Sequence, residues 1–99
     1  MYNINMTYEW DDDKNRINKE KHDGIGFEIA VRVFLDEKRL ERYDAVHSTD
    51  TEDRWDVLGM VDDVLFVVYT ERKESIRIIS ARKATKAEKE VYFYDYDSR

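Results

Sequence analysis

Three short clusters of polar residues carry the side chains that chemistry on a phosphate group requires. They are Lys21 with His22, Glu52 with Arg54, and Arg82 with Lys83. Lysine and arginine side chains stabilise the charge of phosphate oxygens, and a planar guanidinium donates to two oxygens at once. An imidazole or a carboxylate transfers protons near neutral pH. The chain has to fold so that these clusters meet for such chemistry to occur.

Two of the clusters also have ordinary structural interpretations. Lys21 and His22 would stand exposed at the end of a polar helix, although the Asn18 amide, one turn earlier, could orient the imidazole. Glu52 and Arg54 project to the same face of a strand and would form a plain ion pair worth less than about 1 kcal/mol. The sequence leaves these alternatives open.

The third cluster ends an apolar strand and precedes a helix. In a regular strand, one face carries Ile76, Ile78, Ser80 and Arg82, and the other carries Arg77, Ile79 and Ala81. Arg82 then leaves the apolar face where the chain turns, beside the free N–H groups of the next helix, which attract anions. Thr85 and Glu88 have the spacing of a capping box, which uses part of that helix terminus. The turn is therefore either a solvated corner or an anion site.

Hydrophobic periodicity and capping residues divide the chain into eight elements. They are a strand over 2–10, a polar helix over 11–24, a helix over 26–38, strands over 40–48, 54–61, 64–70 and 75–82, and a helix over 85–96. In the second helix, apolar residues at positions 27, 30, 31, 34 and 35 share one face. The order β-α-α-β-β-β-β-α predicts an α+β fold, an antiparallel sheet with helices packed mainly on one side.

Composition narrows the class of protein further. The chain has 99 residues, no cysteine and a net charge of −6, so a single domain is expected and a general nucleic-acid binder is disfavoured. Residues 72–89 differ, because seven basic and two acidic side chains give this segment a charge of +5. The sequence shows no signal peptide, membrane span, metal motif or cofactor motif, which predicts a cytoplasmic protein without a cofactor.

The clusters and elements, taken in order, resemble the BrnT family, toxins of type II toxin–antitoxin systems with a RelE-like fold. The resemblance is carried by the segments YEWDDDKNRINKEKH, FEIAVRVFLD, HSTDTEDRWDVLGMVDDVLFVVYTER and IRIISARKATKAEKEVY. From the first segment to the last it extends over about nine-tenths of the chain. It implies that residues 1–99 form one RelE-like toxin domain.

The resemblance also implies a function and partners. The expected activity is metal-independent endoribonuclease cleavage of RNA, which arrests growth until a BrnA-like antitoxin binds, in a 2:2 complex. The antitoxin would carry the DNA-binding part, so that the toxin meets operator DNA only through it, as a co-repressor. The alternative is a catalytically inactive RelE-like subunit that acts only as a co-repressor or as a protein-interaction domain.

Residues that match the family motifs are expected to form the site. The catalytic set is Lys21, His22, Glu52, Arg54 and Arg82, and the RNA-binding set is Arg72, Arg77 and Lys83. Glu52 is the expected base, and His22 or Lys21 the expected acid. The chain departs from the family pattern at Asp23, which intervenes between Lys-His and Gly24 and brings a carboxylate that repels phosphate.

Overall fold

The structure, a computed structural model, describes residues 7–99. Its strands are β1 (Thr7–Glu9), β2 (Leu40–Tyr43), β3 (Arg54–Val61), β4 (Asp63–Arg72) and β5 (Ser75–Lys83). Its helices are α1 (Asp12–Lys21), α2 (Phe27–Ala30) and α3 (Lys86–Phe93), with 3₁₀ turns at Val31–Leu35 and Tyr96–Ser98. The strand predicted over 2–10 is seen only from residue 7, because residues 2–6 lie outside the described part. No helix within residues 7–99 is long and apolar enough to cross a membrane.

The five strands form one mixed sheet in the order β1-β5-β4-β3-β2. The pairs β2–β3, β3–β4 and β4–β5 are antiparallel, as predicted. Strand β1 instead pairs parallel to β5, with Thr7 opposite Ser75. The α+β class is confirmed, but the prediction of a purely antiparallel sheet is wrong. The successive hairpins leave one edge of β5 open, and β1 fills part of that edge before the chain continues into α1.

Alternating side chains give the sheet two different faces. On the first, the core face, Leu65, Val67 and Tyr69 of β4 belong to one buried cluster with residues of α2 and the 3₁₀ turn after it. On the other, the second face, Val64 packs with Tyr92 of α3. The prediction that the helices lie mainly on one side is therefore corrected, since α3 covers part of the face opposite α2.

The helix predicted over 26–38 is shorter and tighter than expected. After four α-helical residues the chain continues as the 3₁₀ turn Val31–Leu35. Fully buried positions then recur every third residue, at Phe27, Ala30 and Val33. Leu35, predicted on the buried face, is 78% exposed because three residues per turn rotate it away from the sheet. The β-branched Val31 and Val33 disfavour a longer α-helix here.

A β-bulge interrupts β5. Val68 of β4 lies opposite Ser80, but the next residue, Tyr69, lies opposite Ile78, so Ile79 is extra in the ladder. Such an extra residue reverses the alternation of side chains beyond it.

The bulge changes which side chains share a face. Regular alternation predicted that Arg82 lies with Ile76 and that Arg77 lies on the opposite face, and this prediction is wrong. Arg77 aligns across β4 with Arg54, and Arg82 pairs with Phe66. All three arginines therefore project from the second face of the sheet.

Two asparagines of the polar α1 are buried rather than exposed. The Asn18 amide donates to Ile25 O at 2.9 Å and Ala81 O at 2.8 Å, and its oxygen accepts from Ala81 N at 3.2 Å. The Asn18 amide therefore hydrogen-bonds backbone groups on the edge of β5 that β1 leaves open. It was predicted to orient the His22 ring instead. Asn15 accepts from Phe27 N at 2.8 Å, which fixes the start of α2.

The stability of the protein is expected to fall in acid through Glu28. Hydrogen bonds from Lys19 and Asn15, each 2.9 Å long, lower the pKa of this carboxyl from 4.5 to about 2. A lowered carboxyl pKa contributes stability that is present above pH 4.5 and is lost as the pH falls through about 2. Urea unfolding from pH 5 down to about 2 should therefore be less pH-dependent for Glu28→Gln than for wild type. Glu90→Gln, at an exposed position, should keep the wild-type slope; a Glu28→Gln slope equal to that of wild type would contradict the account.

Candidate active site

The second face carries a groove of about 510 Å³ between the β2–β3 loop and α3. Its floor is apolar and consists of Phe66, Val68 and Ile79. Its charged walls are Arg42, Arg54, Arg82, Asp44, Asp56 and Glu88, together with His47. A flat apolar floor between guanidinium groups suits a ligand that combines planar rings with phosphates.

Arg82 is held by the helix that follows it. Its two terminal nitrogens donate to the two oxygens of Glu88 at 2.7 and 2.9 Å, and its guanidinium lies over the Phe66 ring, 4.2 Å from the centroid. Glu88 also accepts from Thr85 N at 2.8 Å, which confirms the predicted capping box. The hydrogen bond lowers the pKa of Glu88 and raises that of Arg82. The anion at this helix start is thus a carboxylate of the chain itself.

The Arg82 side chain still has donors to offer. Of the five N–H groups of a guanidinium, two are used by Glu88 and a third donates to Lys83 O at 3.2 Å. The carboxylate and the Phe66 ring therefore fix the direction of the guanidinium while part of its donor set can serve a second acceptor.

A network of arginines and glutamates occupies the end of the second face next to the groove. Arg54 Nε donates to Glu52 at 2.9 Å, and Arg72 lies 3.7 Å from the same carboxylate. Glu9 of β1 lies 3.5 Å from Arg77 and 4.0 Å from Arg72. The Arg54 hydrogen bond is the largest cause of a lowered pKa for Glu52, which makes this carboxylate a weaker proton acceptor. The predicted ion pair of Glu52 and Arg54 is present.

The remaining predicted residues lie outside the groove lining. Lys21 ends α1 in solvent, and His22 follows it as a half-buried residue whose backbone N–H donates to Asn18 O at 2.9 Å. Lys83 is exposed and pairs with Leu65, which points it to the core-face side of β5. Asp23 and the following Gly24 both adopt left-handed backbone angles, with φ of 54° and 78°. These two residues follow the end of α1, and the departure of Asp23 from the family pattern remains a sequence-based prediction.

Sequence reasoning missed an imidazole–carboxylate pair in the groove. His47 Nδ1 lies 2.8 Å from Asp44 Oδ2, and the backbone N–H of His47 donates to Asp44 Oδ1 at 3.2 Å. The available signal was the spacing D-x-x-H, since an aspartate side chain readily accepts from the backbone N–H three residues on. Among residues 7–99, no group of three or more histidine or acidic side chains is placed to hold a metal ion.

A buried carboxyl stands behind this pair. Asp56 is 6% exposed; one of its oxygens accepts from Arg42 at 3.0 Å, and the other has no partner within the described residues. Burial raises the pKa of Asp56, Arg42 opposes the rise, and the neighbouring Asp44 adds to it. Burial would also raise the pKa of Asp44, but hydrogen bonds from the ring and backbone of His47 outweigh it and lower that pKa. Asp44 is therefore the more acidic of the two carboxyls.

A comparison with solved protein structures identifies the fold. The fold is that of the ribonuclease toxin BrnT of Brucella abortus, known from a 1.1 Å crystal structure. The two chains are 21% identical, with a TM-score of 0.62 over 82% of this chain and 99% of that one. Likeness at this identity shows the fold.

The family follows from the sequence itself. Residues 10–88 match the family model described as "Ribonuclease toxin, BrnT, of type II toxin-antitoxin system". The chain belongs to this family, and the predicted resemblance is confirmed. Membership supports the roles of toxin and ribonuclease and implies an antitoxin partner. No curated protein matches the chain.

Proposed function

We propose that this protein is a metal-independent endoribonuclease that cleaves RNA on the second face of the sheet and so arrests growth. The observation that carries the proposal is the bulge in β5, which brings Arg77 and Arg82 onto the same face as Arg54. The apolar floor of the adjoining groove suits RNA bases, and the arginines suit its phosphates. We also propose that the fold is RelE-like and that residues 1–99 form a single toxin domain.

The proposed reaction is attack of a ribose 2′-hydroxyl on the adjacent phosphorus, which leaves a 2′,3′-cyclic phosphate. Arg54, Arg77 and Arg82 would stabilise the charge that develops on the phosphoryl oxygens. Each guanidinium is already oriented by a carboxylate, so little ordering is left for the substrate to impose. Glu52 as base and Lys21 or His22 as acid remain the sequence-based predictions for proton transfer. Arg72, on the same face as these arginines, would bind the strand beyond the cleaved bond. Lys83 points to the other side of β5, and its RNA-binding role remains a sequence-based prediction.

The proposed partner is a BrnA-like antitoxin in a 2:2 complex. The basic segment 72–89, with a charge of +5 in a chain of net charge −6, offers an acidic antitoxin segment a localised complementary surface. Operator DNA would be contacted through the antitoxin, since the acidic balance of this chain disfavours direct DNA binding. A cytoplasmic location is part of the proposal, because the proposed substrate is cellular RNA.

The test is incubation of the purified protein with RNA in the presence of EDTA. Because the proposed chemistry uses only side chains of the protein, chelation should leave the cleavage rate within about twofold of the rate with Mg²⁺. Cleavage that stops on chelation would contradict metal independence. Intact RNA in both conditions would contradict the enzyme.

The second candidate function is a catalytically inactive subunit that acts as a co-repressor or protein-interaction domain. It is favoured by the ion pairs of Arg54, Arg77 and Arg82, each of which already has a carboxylate partner with which RNA must compete. Expression in cells separates the two. Growth arrest that an antitoxin relieves supports the nuclease, and unchanged growth supports the inactive subunit.

A further inference from the structure

We propose that His47, oriented by Asp44, is the base that accepts the proton of the attacking 2′-hydroxyl. This inference rests on the proposed function and names a catalytic residue for the same groove. It gives Asp44 the role of a positioning residue.

The loop that carries His47 is anchored to the strand that carries Arg54. Ser48 Oγ donates to Asp44 O at 2.7 Å and accepts from Arg54 N at 2.8 Å. Asp44 N in turn donates to Arg54 O at 2.8 Å. The ring of His47 and the guanidinium of Arg54 therefore belong to one hydrogen-bonded unit, and both line the groove.

The Asp44 contact fixes the tautomer of the ring. An ionised carboxylate only accepts hydrogen bonds, so the hydrogen in the 2.8 Å contact belongs to Nδ1 of His47. Nε2 of the neutral ring then carries the lone pair. The side chain of His47 is 66% exposed, whereas that of Asp44 is 12% exposed, so the ring is open to a substrate while its support is not. This is the arrangement by which a carboxylate orients a histidine base.

Hydrogen bonds from His47 keep Asp44 charged. Burial raises the pKa of Asp44, but the hydrogen bonds from His47 outweigh it and lower that pKa, whereas burial raises the pKa of the neighbouring Asp56. A negative charge on Asp44 therefore lies beside the ring. The charged groups that line the groove together with the ring are Arg42, Asp44, Arg54, Asp56, Arg82 and Glu88.

The step balances without any further reactant. The O2′–P bond forms as the P–O5′ bond breaks, and the proton of the 2′-hydroxyl passes to Nε2 of His47. The 5′-oxygen takes a proton from water as it leaves, and the imidazolium returns its proton to solvent. Glu52 suits the base role less, because Arg54 and Arg72 hold its carboxylate and its pKa is lowered.

The test measures RNA cleavage in EDTA as a function of pH. His47→Asn is expected to lower kcat/KM by about 10²–10⁴-fold and to remove the rise in rate that follows deprotonation of the base. Added imidazole should restore part of the activity of His47→Ala, because the exposed position admits it. Asp44→Asn should lower kcat and move the pH profile. The control Arg32→Ala, at an exposed position outside the groove, should behave as wild type.

Other results would distinguish a failure of the His47 role from a failure of the ribonuclease activity. If wild type cleaves RNA and His47→Asn keeps the same rate and profile, or if Glu52→Gln removes the rise in rate instead, the inference is overturned and the ribonuclease stands. If wild type does not cleave RNA, both the role of His47 and the ribonuclease activity are contradicted. Equal melting temperatures for wild type and His47→Asn show that lost activity is not lost folding.

Discussion

Arg82→Ala is expected to lower the rate of RNA cleavage by about 10²–10³-fold, the usual effect of removing one donor that stabilises the charge of a transition state. Arg82 is aimed by the Glu88 carboxylate and the Phe66 ring, so its donors are fixed before substrate binds. Alanine removes both the positive charge and this orientation. The measurement is the single-turnover rate in EDTA on one RNA at saturating protein.

The loss has to be separated from damage to α3, because Arg82 also contacts Glu88 of the capping box. Glu88→Gln is the matched control, since glutamine still accepts from Thr85 N but no longer carries the charge that pairs with Arg82. It should keep the cleavage rate within about tenfold of wild type, with Arg82 still present. An equal loss in Arg82→Ala and Glu88→Gln would mean that the ion pair, rather than phosphate stabilisation, accounts for the effect.

Asn18→Ala is expected to reduce the free energy of unfolding by about 3 kcal/mol or more. The Asn18 amide makes three hydrogen bonds, two to the backbone of Ala81 and one to Ile25 O. Alanine would leave those backbone groups buried without partners, and each such group costs about 1–3 kcal/mol. The measurement is urea unfolding of the purified variant at neutral pH.

The control for this variant lies two residues earlier on the same helix. Arg16 is exposed, and its ion pairs with Asp13 and Glu20 lie on the surface, so Arg16→Ala should change stability by less than about 0.5 kcal/mol. If Asn18→Ala were no more destabilising than Arg16→Ala, the edge of β5 would not depend on the asparagine amide.

Much of the fold could be predicted from local patterns. The strand predicted over 54–61 coincides with β3, because apolar and polar residues alternate there and acidic residues mark the turn. The start of α3 was predicted from Thr85 and Glu88, whose capping contacts are local and depend only on spacing. These features need no information about distant parts of the chain.

The features that were predicted wrongly depend on long-range contacts. The bulge at Ile79 arises from the register between β4 and β5, which alternation within one strand does not reveal. The parallel pairing of β1 is decided by which sheet edge remains open. The buried Asn15 and Asn18 look like surface residues in a polar helix, and only their backbone partners explain them.

The candidate site was likewise predictable only in part. Motif resemblance selected Arg54 and Arg82, and the structure brings them to one face, although it does so by a bulge that contradicts the assumed alternation. The acidic partners were not predicted, because Glu9 and Glu88 reach the arginines only after the chain folds. His47 was passed over because residues 40–48 were predicted as one strand. That prediction is corrected, since β2 ends at Tyr43 and His47 lies in the loop after it.

The proposed attack by the 2′-hydroxyl is tested most directly by comparing two RNA strands in EDTA. One is all ribose, and the other has a single 2′-deoxy residue at the position where the first is cut. Wild type is expected to cleave the ribose strand to a 2′,3′-cyclic phosphate and to leave the deoxy strand intact at that position, and Arg82→Ala is expected to lose the cleavage of the ribose strand. Equal treatment of the two strands, or equal cutting by wild type and Arg82→Ala, would contradict it.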